Sequence, residues 1–222
     1  MIDFNKLSRP KANSAPTDPL EIFARTPNLS NAPNDLWKGQ AEALQHWHST
    51  RTKQDNAILL NTGAGKSIVG VLIAQSLVNE QIGPIVFVCS TIDLVEQTAR
   101  ECTRLGIPYT LRVHGKFTDD QFETGKAFCI TTYQALFTAK SAFSKDRSPA
   151  AVIFDDAHVA ERMIRDAFTL SISREKHPTL FADIISIVRP EFEKLNKEPH
   201  LGAVLEGHGA QVTMCPPATA YR

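Results

Sequence analysis

A glycine-containing segment over residues 60–67, Leu-Asn-Thr-Gly-Ala-Gly-Lys-Ser, has the residue types of a phosphate-binding loop. Glycines in such a loop let backbone N–H groups turn inward around phosphate oxygens without a clash at Cβ. A helix beginning at Lys66 would add the positive end of its dipole to this anion site. Lys66 can then reach the β- and γ-phosphates of a nucleotide, and the Ser67 hydroxyl can ligate Mg²⁺. The predicted ATP site comprises Thr62, Gly63, Ala64, Gly65, Lys66 and Ser67.

This segment departs from the general phosphate-loop pattern at one position. The pattern begins with a glycine where this chain has Leu60. The alternative interpretation is an ordinary turn between a strand and a helix, with Lys66 in solvent. A pair of acids downstream favours the nucleotide site.

Two adjacent aspartates follow an apolar run at residues 151–154, and the first of them lies 89 residues after Lys66. A Mg²⁺–nucleotide site needs a carboxylate at the carboxyl end of a parallel strand that faces the phosphate loop. Asp155 fits that role, and Asp156 is placed to orient or deprotonate the attacking water. The alternative is that both acids cap the start of a helix.

The elements that must position these residues alternate along the chain. Short apolar runs without polar interruption, separated by amphipathic stretches, predict an α/β fold with a parallel sheet flanked by helices. Strands are predicted at residues 57–60, 84–89, 109–113, 127–131 and 151–154. Helices are predicted at residues 66–78, 94–105 and 133–137.

The two ends of the chain differ from this alternating core, which we place at residues 36–158. Residues 1–35 are rich in Pro, Asn and Ser and predict an extended or flexible arm, in which residues 20–23 could dock as one helical turn. Residues 159–222 predict a helical extension, broken at Pro178 and Pro190, and a last strand of the same lobe at residues 211–215.

The composition excludes several classes of protein. The 24 basic and 24 acidic side chains balance, so any nucleic-acid surface must be local. The four cysteines form no C-x-x-C pair, which argues against a zinc site. No apolar run reaches the roughly 18 residues of a membrane span, and residues 1–10 lack a signal-peptide core. The sequence therefore predicts a cytoplasmic protein without a membrane partner.

With both motifs in place, the chain resembles the N-terminal RecA-like lobe of superfamily 2 DEAD/DEAH-box helicases. Residues 62–67 look like motif I, and residues 155–158, Asp-Asp-Ala-His, look like motif II. The resemblance implies ATP and Mg²⁺ as cofactors, with Ser67 and Asp155 at the metal. It implies a catalytic set of Lys66, Asp155, Asp156 and His158.

Further segments of the chain extend the resemblance. Residues 88–97 are similar to motif Ia, and residues 130–136 to a T-T-Y-Q-x-L segment of many members, which implies contacts with a DNA or RNA backbone. Each segment alone is also typical of a capped helix start. The candidate nucleic-acid residues are Ser90, Thr91, Thr131 and Thr132.

An upstream segment at residues 37–44 is similar to the entry helix of the same family. The resemblance implies that Gln40 reads the adenine edge with its amide group. An amphipathic helix with a surface glutamine is the alternative. Phe137 and Phe143 could stack on bases, although packing is the simpler interpretation.

The chain departs from the family pattern in ways that bear on activity. Asp156 replaces the usual glutamate and is one methylene shorter, and Ile92 or Asp93 replaces the arginine of motif Ia. No convincing motif III follows. The spacing is also similar to helicase-like proteins of bacterial anti-phage defence.

These features predict the ATP-binding first lobe of a nucleic-acid-dependent ATPase or helicase. The 64 residues after His158 are too few for a second RecA-like lobe, which we expect in cis or in trans. The isolated chain should then bind ATP with little or no unwinding. Alternatives are a translocase or remodelling subunit of a defence or nuclease complex, and a degenerate binding module that does not hydrolyse ATP. A small-molecule kinase would share the loop but would not predict the Asp-Asp-Ala-His segment.

Overall fold

The computed structural model describes residues 15–27, 29, 33–61, 63–138, 140–143, 147–207 and 213–215. The chain forms two compact units, Met1–Phe168 and Thr169–Arg222. The first unit contains the sheet and both predicted motifs.

Five strands of the first unit form one sheet in the order β3-β2-β4-β1-β5. Strand β1 pairs in parallel with β4 and β5, β2 pairs in parallel with β4, and only the short β3 is antiparallel. The carboxyl ends of β1, β2, β4 and β5 therefore meet at one edge of the sheet. The strands are β1 (Ile85–Cys89), β2 (Tyr109–Val113), β3 (Lys116–Phe117), β4 (Phe128–Thr132) and β5 (Ala151–Phe154).

Helices cover both faces of this sheet. In β1, Ile85, Phe87 and Cys89 belong to one apolar core, whereas Val86 and Val88 belong to a second core on the opposite face. This period-two alternation of a fully apolar strand is expected when a parallel sheet is buried on both sides. The predicted α/β fold is confirmed. The helices of this unit are α1 (Pro19–Arg25), α2 (Lys38–Thr50), α3 (Lys66–Asn79), α4 (Ile92–Leu105), α5 (Tyr133–Leu136) and α6 (Ala157–Ala167).

Helix α1 lies within the segment that the sequence predicts as an arm. Asp18 caps it by accepting a hydrogen bond from the Leu20 N–H at 2.9 Å, and Ile22 is buried in the core beside α3. The Asn79 amide donates to the Pro16 carbonyl at 2.7 Å. Residues 16–25 therefore pack against α3, one of the helices that cover the sheet.

Two predicted strands differ in the structure. Residues 57–60 have the apolar composition of a strand but pair with no other strand, and Leu59 is 95% exposed. Among the described residues no strand covers the outer edge of β5, and an apolar run cannot form a ladder without a partner. Of the strand predicted at 211–215, residues 211 and 212 lie outside the described residues, and residues 213–215 do not form a strand.

The first unit extends beyond the predicted core boundary at His158 to Phe168. Helix α6 is the reason, because its Ala160 is buried in the core with Val86 and Val88. The boundary between the units therefore falls after this helix.

The second unit contains two described helices, α7 (Pro178–Lys194) and α8 (Glu198–Glu206). Val188, Phe192 and Leu201 form its small core. Pro178 stands in the first turn of α7, where its missing N–H has no helical partner to lose. Pro190 lies inside α7, so the predicted break at this residue is wrong. Over the ranges that the structure describes, no helix is both long and apolar enough to cross a bilayer.

Candidate nucleotide-binding site

The phosphate loop makes a tight turn directly before α3. Gly63 has φ +81° and Gly65 has φ +66°, a region that glycine occupies without steric strain. The Ala64 N–H donates to the Asn61 carbonyl at 3.1 Å, which closes the turn. Gly65 precedes the first helical residue, Lys66, and has no side chain to cap the helix, so the first-turn N–H groups remain free to bind an anion. Thr62, which was predicted to belong to this loop, lies outside the described residues.

The side chain of Gln40 holds this loop from α2. Its Nε2 donates to the carbonyls of Ala64 at 2.8 Å and Gly65 at 3.3 Å, and its Oε1 accepts from the Trp37 N–H at 2.9 Å. Gln40 is only 5% exposed. A Cβ atom at Gly65 would lie 2.5 Å from the Gln40 Nε2 and would displace this amide, and the positive φ of Gly65 also favours glycine. Because both ends of the amide have partners within the chain, contact with adenine would require Gln40 to exchange them, and this role stays a prediction.

The acidic pair lies at the carboxyl end of β5. The Asp155 N–H donates to the Val88 carbonyl at 3.0 Å, which continues the β1–β5 ladder by one residue. The Tyr133 hydroxyl donates to the Asp155 main-chain carbonyl. Asp156 then turns the chain with φ +52° and ψ +63°, a left-handed conformation that Asp tolerates better than most residues. His158, the last candidate of this motif, is exposed in the first turn of α6.

The phosphate loop and the acidic turn meet through one ion pair. The Lys66 Nζ lies 3.5 Å from the Asp156 Oδ1, and the two side chains are 40% and 39% exposed. Ser67 follows Lys66 in the first turn of α3 and is half-buried. The structure therefore brings the lysine of the predicted motif I to an acid of the predicted motif II.

The electrostatics of the acidic turn favour a cation. Burial raises the pKa of Asp155 above its usual range, and the neighbouring Asp156 carboxylate raises it further, while the Lys66 ammonium opposes both effects. Two carboxylates this close stabilise a positive charge placed between or beside them. Carboxylate and hydroxyl oxygens are also the hard ligands that Mg²⁺ prefers. Asp155 and Ser67 thus have suitable chemistry for the metal.

Three of the four predicted nucleic-acid residues lie at the same sheet edge with some exposure. Thr91 is exposed and caps α4 by accepting from the Leu94 N–H at 3.2 Å, and Ser90 is half-buried before it. Thr132 is half-buried and caps α5, and it lies opposite Cys89 in the β1–β4 register.

Thr131 does not fit the predicted contact. Its side chain is fully buried, and its hydroxyl donates to the Arg112 carbonyl at 2.7 Å. Successive side chains of a strand point to opposite faces, so Thr131 and Thr132 cannot both face a strand of nucleic acid. In this structure the Thr131 side chain fastens β4 to β2 instead.

An aromatic group beside the acidic turn was not predicted from the sequence. Tyr133 and Phe137 both stack on Phe154, with ring centroids 5.9 Å and 6.1 Å apart. Phe143 is buried elsewhere, against Phe117 and Phe122, so packing accounts for both phenylalanines that were considered for base stacking. The sequence did contain one indication of this aromatic group. Phe154 stands directly before the acids, at a position where a smaller aliphatic residue would complete the strand equally well.

Of three comparisons with known proteins, the one with protein families found a match. Neither the search of curated proteins nor the search of solved structures found a match. The protein family described as type III restriction enzyme, res subunit, matches residues 34–182, more than half of the chain. That match includes the phosphate loop, the acidic turn and the whole sheet, and it confirms the resemblance to the RecA-like lobe of superfamily 2 helicases. The chain therefore belongs to the family of type III restriction enzyme res subunits.

Proposed function

We propose that this chain is the ATP-binding first lobe of a nucleic-acid-dependent ATPase within a restriction-type enzyme. The family indicates a helicase-like ATP-binding lobe. The observation that carries the proposal is the Lys66–Asp156 ion pair, which joins a glycine turn to an acidic turn across 3.5 Å. An ordinary strand-to-helix turn would leave the lysine in solvent and would have no reason to face two carboxylates.

Each residue of the site has a distinct role in this proposal. The N–H groups around Gly63 and Gly65 and those of the first turn of α3 bind the phosphates. Lys66 leaves Asp156 and pairs with the β- and γ-phosphates as a point charge. The freed Asp156 carboxylate orients the attacking water and accepts its proton.

Asp155 and Ser67 would hold Mg²⁺ in this site. When bound, the metal neutralises charge that develops on the phosphate oxygens. His158, in the first turn of α6 behind the acids, completes the candidate catalytic set. Asp156 is one methylene shorter than the glutamate usual in superfamily 2, so we expect slower hydrolysis than a glutamate would give.

The nucleic-acid partner is proposed to lie along the carboxyl edge of β1 and β4. Ser90, Thr91 and Thr132 offer hydroxyl and N–H groups there, which suit a sugar–phosphate backbone and carry no base specificity. A second RecA-like lobe, in cis or in trans, would supply the remaining transition-state charges, a contribution typically worth about 10³- to 10⁵-fold in rate. We therefore expect this lobe alone to bind ATP without separating strands.

A second candidate function follows from the family match. In this candidate the ATPase would drive translocation or remodelling beside a nuclease, without strand separation. Stimulation of ATP hydrolysis by duplex DNA, with no strand separation by the assembled enzyme, would favour this candidate over a helicase.

The proposal is tested by calorimetric titration of the chain with ATP and Mg²⁺. Lys66→Ala should weaken binding roughly 30- to 150-fold, because a hydrogen-bonded charge pair contributes about 2–3 kcal/mol. Lys126→Ala, at an exposed lysine outside the site, is the matched control and should bind as the wild type does. Absence of binding by the folded wild-type chain, or equal binding by Lys66→Ala, would contradict the nucleotide site.

A further inference from the structure

The Tyr133 hydroxyl is the only side-chain donor that the described residues give to the main chain of the acidic pair. Tyr133 is 1% exposed and lies in the core between β1, β4 and α6. Its ring stacks on Phe154, the residue before Asp155, with an interplanar angle of 22°. Ring and hydroxyl thus fasten two successive residues at the end of β5.

The hydrogen bond satisfies a carbonyl that the sheet cannot serve. The Asp155 N–H continues the ladder to Val88, but at Asp156 the chain adopts a left-handed turn and leaves the ladder. A half-buried carbonyl at this point needs a partner. The Tyr133 hydroxyl supplies it, and it thereby fixes the peptide plane that joins Asp155 to Asp156.

This peptide lies between ψ of Asp155 and φ of Asp156, so its position is part of the backbone that places both carboxylates. Asp155 and Asp156 leave the chain on either side of it, so a rotation would move the two side chains in a correlated way. Phosphate binding, in contrast, depends on the loop and on α3, which packs into the first apolar core, whereas Tyr133 belongs to the second, on the opposite face of the sheet. Removal of the Tyr133 hydroxyl should therefore weaken metal binding and leave phosphate binding unchanged.

From this geometry we infer that Tyr133 is a positioning residue for the metal-binding acids. It holds the Asp155–Asp156 peptide so that Asp155 faces the Mg²⁺ position of the nucleotide. The inference rests on the proposed function, since it assumes that Mg²⁺–ATP is bound at this site. Tyr133 of the T-T-Y-Q segment thereby becomes part of the metal site, through a hydrogen bond to Asp155, 22 positions further along the chain.

The experiment is a pair of ATP titrations of the same chain, one with Mg²⁺ and one with EDTA. Tyr133→Phe removes the hydroxyl and keeps the ring stack. We expect it to weaken binding with Mg²⁺ about fivefold, the size of one lost hydrogen bond of about 1 kcal/mol, and to leave binding in EDTA unchanged. A residue with only a structural role would shift both titrations together.

Tyr109→Phe is the matched control, because it also removes a hydroxyl that makes a hydrogen bond. Tyr109 on β2 and Thr103 on α4 are joined through their hydroxyl groups, 3.1 Å apart. Tyr109→Phe should match the wild type in both titrations. Tyr133→Phe overturns the inference if it keeps the wild-type dependence on Mg²⁺ or loses affinity equally in both titrations. A wild-type chain that binds ATP equally with and without Mg²⁺ would overturn it as well. Failure of the wild type to bind ATP at all would instead refute the proposed function.

Discussion

The acidic turn and the phosphate loop both follow an apolar run, yet the structure supports them in different ways. Before the acidic turn, β5 pairs in register with β1, and the ring of Phe154 stacks with two aromatic neighbours. Before the phosphate loop, residues 57–60 pair with no strand, and Leu59 is 95% exposed. The turn is thus held by a sheet, whereas the loop is held by side chains.

The side chains that hold the loop make few contacts. Gln40 donates to two loop carbonyls, and Lys66 reaches Asp156 across 3.5 Å. Both partners of that ion pair are about 40% exposed, so the pair contributes little to stability by itself. The sheet therefore holds the acids in place, while the shape of the loop depends on Gln40. Binding loops are commonly drawn from the less stable parts of a fold in this way.

The largest expected effect is a difference in the free energy of unfolding between a variant in β5 and a variant in residues 57–60. Phe154→Ala should lower the free energy of unfolding by about 2 kcal/mol, less than for a fully buried phenylalanine because Phe154 is 39% exposed. Leu59→Ala should change it by less than about 0.5 kcal/mol, because an exposed side chain loses no packing. Urea unfolding followed by tryptophan fluorescence measures both, since Trp47 is buried in the same unit. Equal losses in the two variants would show that residues 57–60 are supported as β5 is.

The same two runs show what could be predicted from the sequence. The strand at residues 151–154 and the acids after it were predicted because a strand buried on both faces is apolar throughout. Residues 57–60 carry the same signature, but a strand also needs a neighbour, and local composition does not encode strand order. The phosphate loop itself was predicted because its shape depends on residues next to one another in the chain, the glycines and the lysine of residues 63–66.

The contacts that complete the site could not be predicted because they join distant residues. The resemblance to the family's entry helix placed Gln40 on a helix but did not show that its amide reaches a carbonyl 24 positions further along the chain. Tyr133 was assigned only to a segment resembling a nucleic-acid contact, and its hydrogen bond to Asp155 depends on the β1–β4 and β1–β5 registers. The burial of the Thr131 side chain was not predicted either, because β4 ends at Thr132, one residue beyond the predicted 127–131.

A smaller effect tests whether the loop depends on Gln40. Gln40→Met keeps the volume of the side chain and removes its hydrogen-bonding groups. We expect binding of both ATP and GTP to weaken by about five- to tenfold, because about 1–1.5 kcal/mol of support for the loop is lost whichever base is bound. The measurement is calorimetric titration with each nucleotide, and Gln54→Met, at an exposed glutamine, is the control.

The two nucleotides distinguish the possible roles of Gln40. If Gln40→Met weakens ATP alone, the amide reads the adenine edge, as the family resemblance implies, and its contact with the loop is secondary. Loss of affinity for neither nucleotide would show that the loop holds its shape without α2, and the contrast between the loop and the turn would then disappear.

The smallest effect concerns the charge of the acidic turn. Burial first, and then the Asp156 carboxylate, raise the pKa of Asp155, and the Lys66 ammonium lowers it only in part. Between the ordinary aspartate value of 3.8 and this raised pKa, the folded chain binds more protons than the unfolded chain. The free energy of unfolding therefore falls as the pH rises through that window, and the loss is complete above it.

Asp155→Asn removes this charge, so in EDTA it should melt at a higher temperature than the wild type at about pH 8 and show no such gain near pH 4. For a chain of this length, 1 kcal/mol corresponds to about 2–4 °C, which thermal melts resolve. Asp120→Asn, at an exposed aspartate, controls for the loss of a charge. A gain that does not depend on pH would mean that the Asp155 charge is not the cause. The same variant should lose the Mg²⁺ dependence of ATP binding, because the carboxylate that destabilises the free chain is the one that the cation needs.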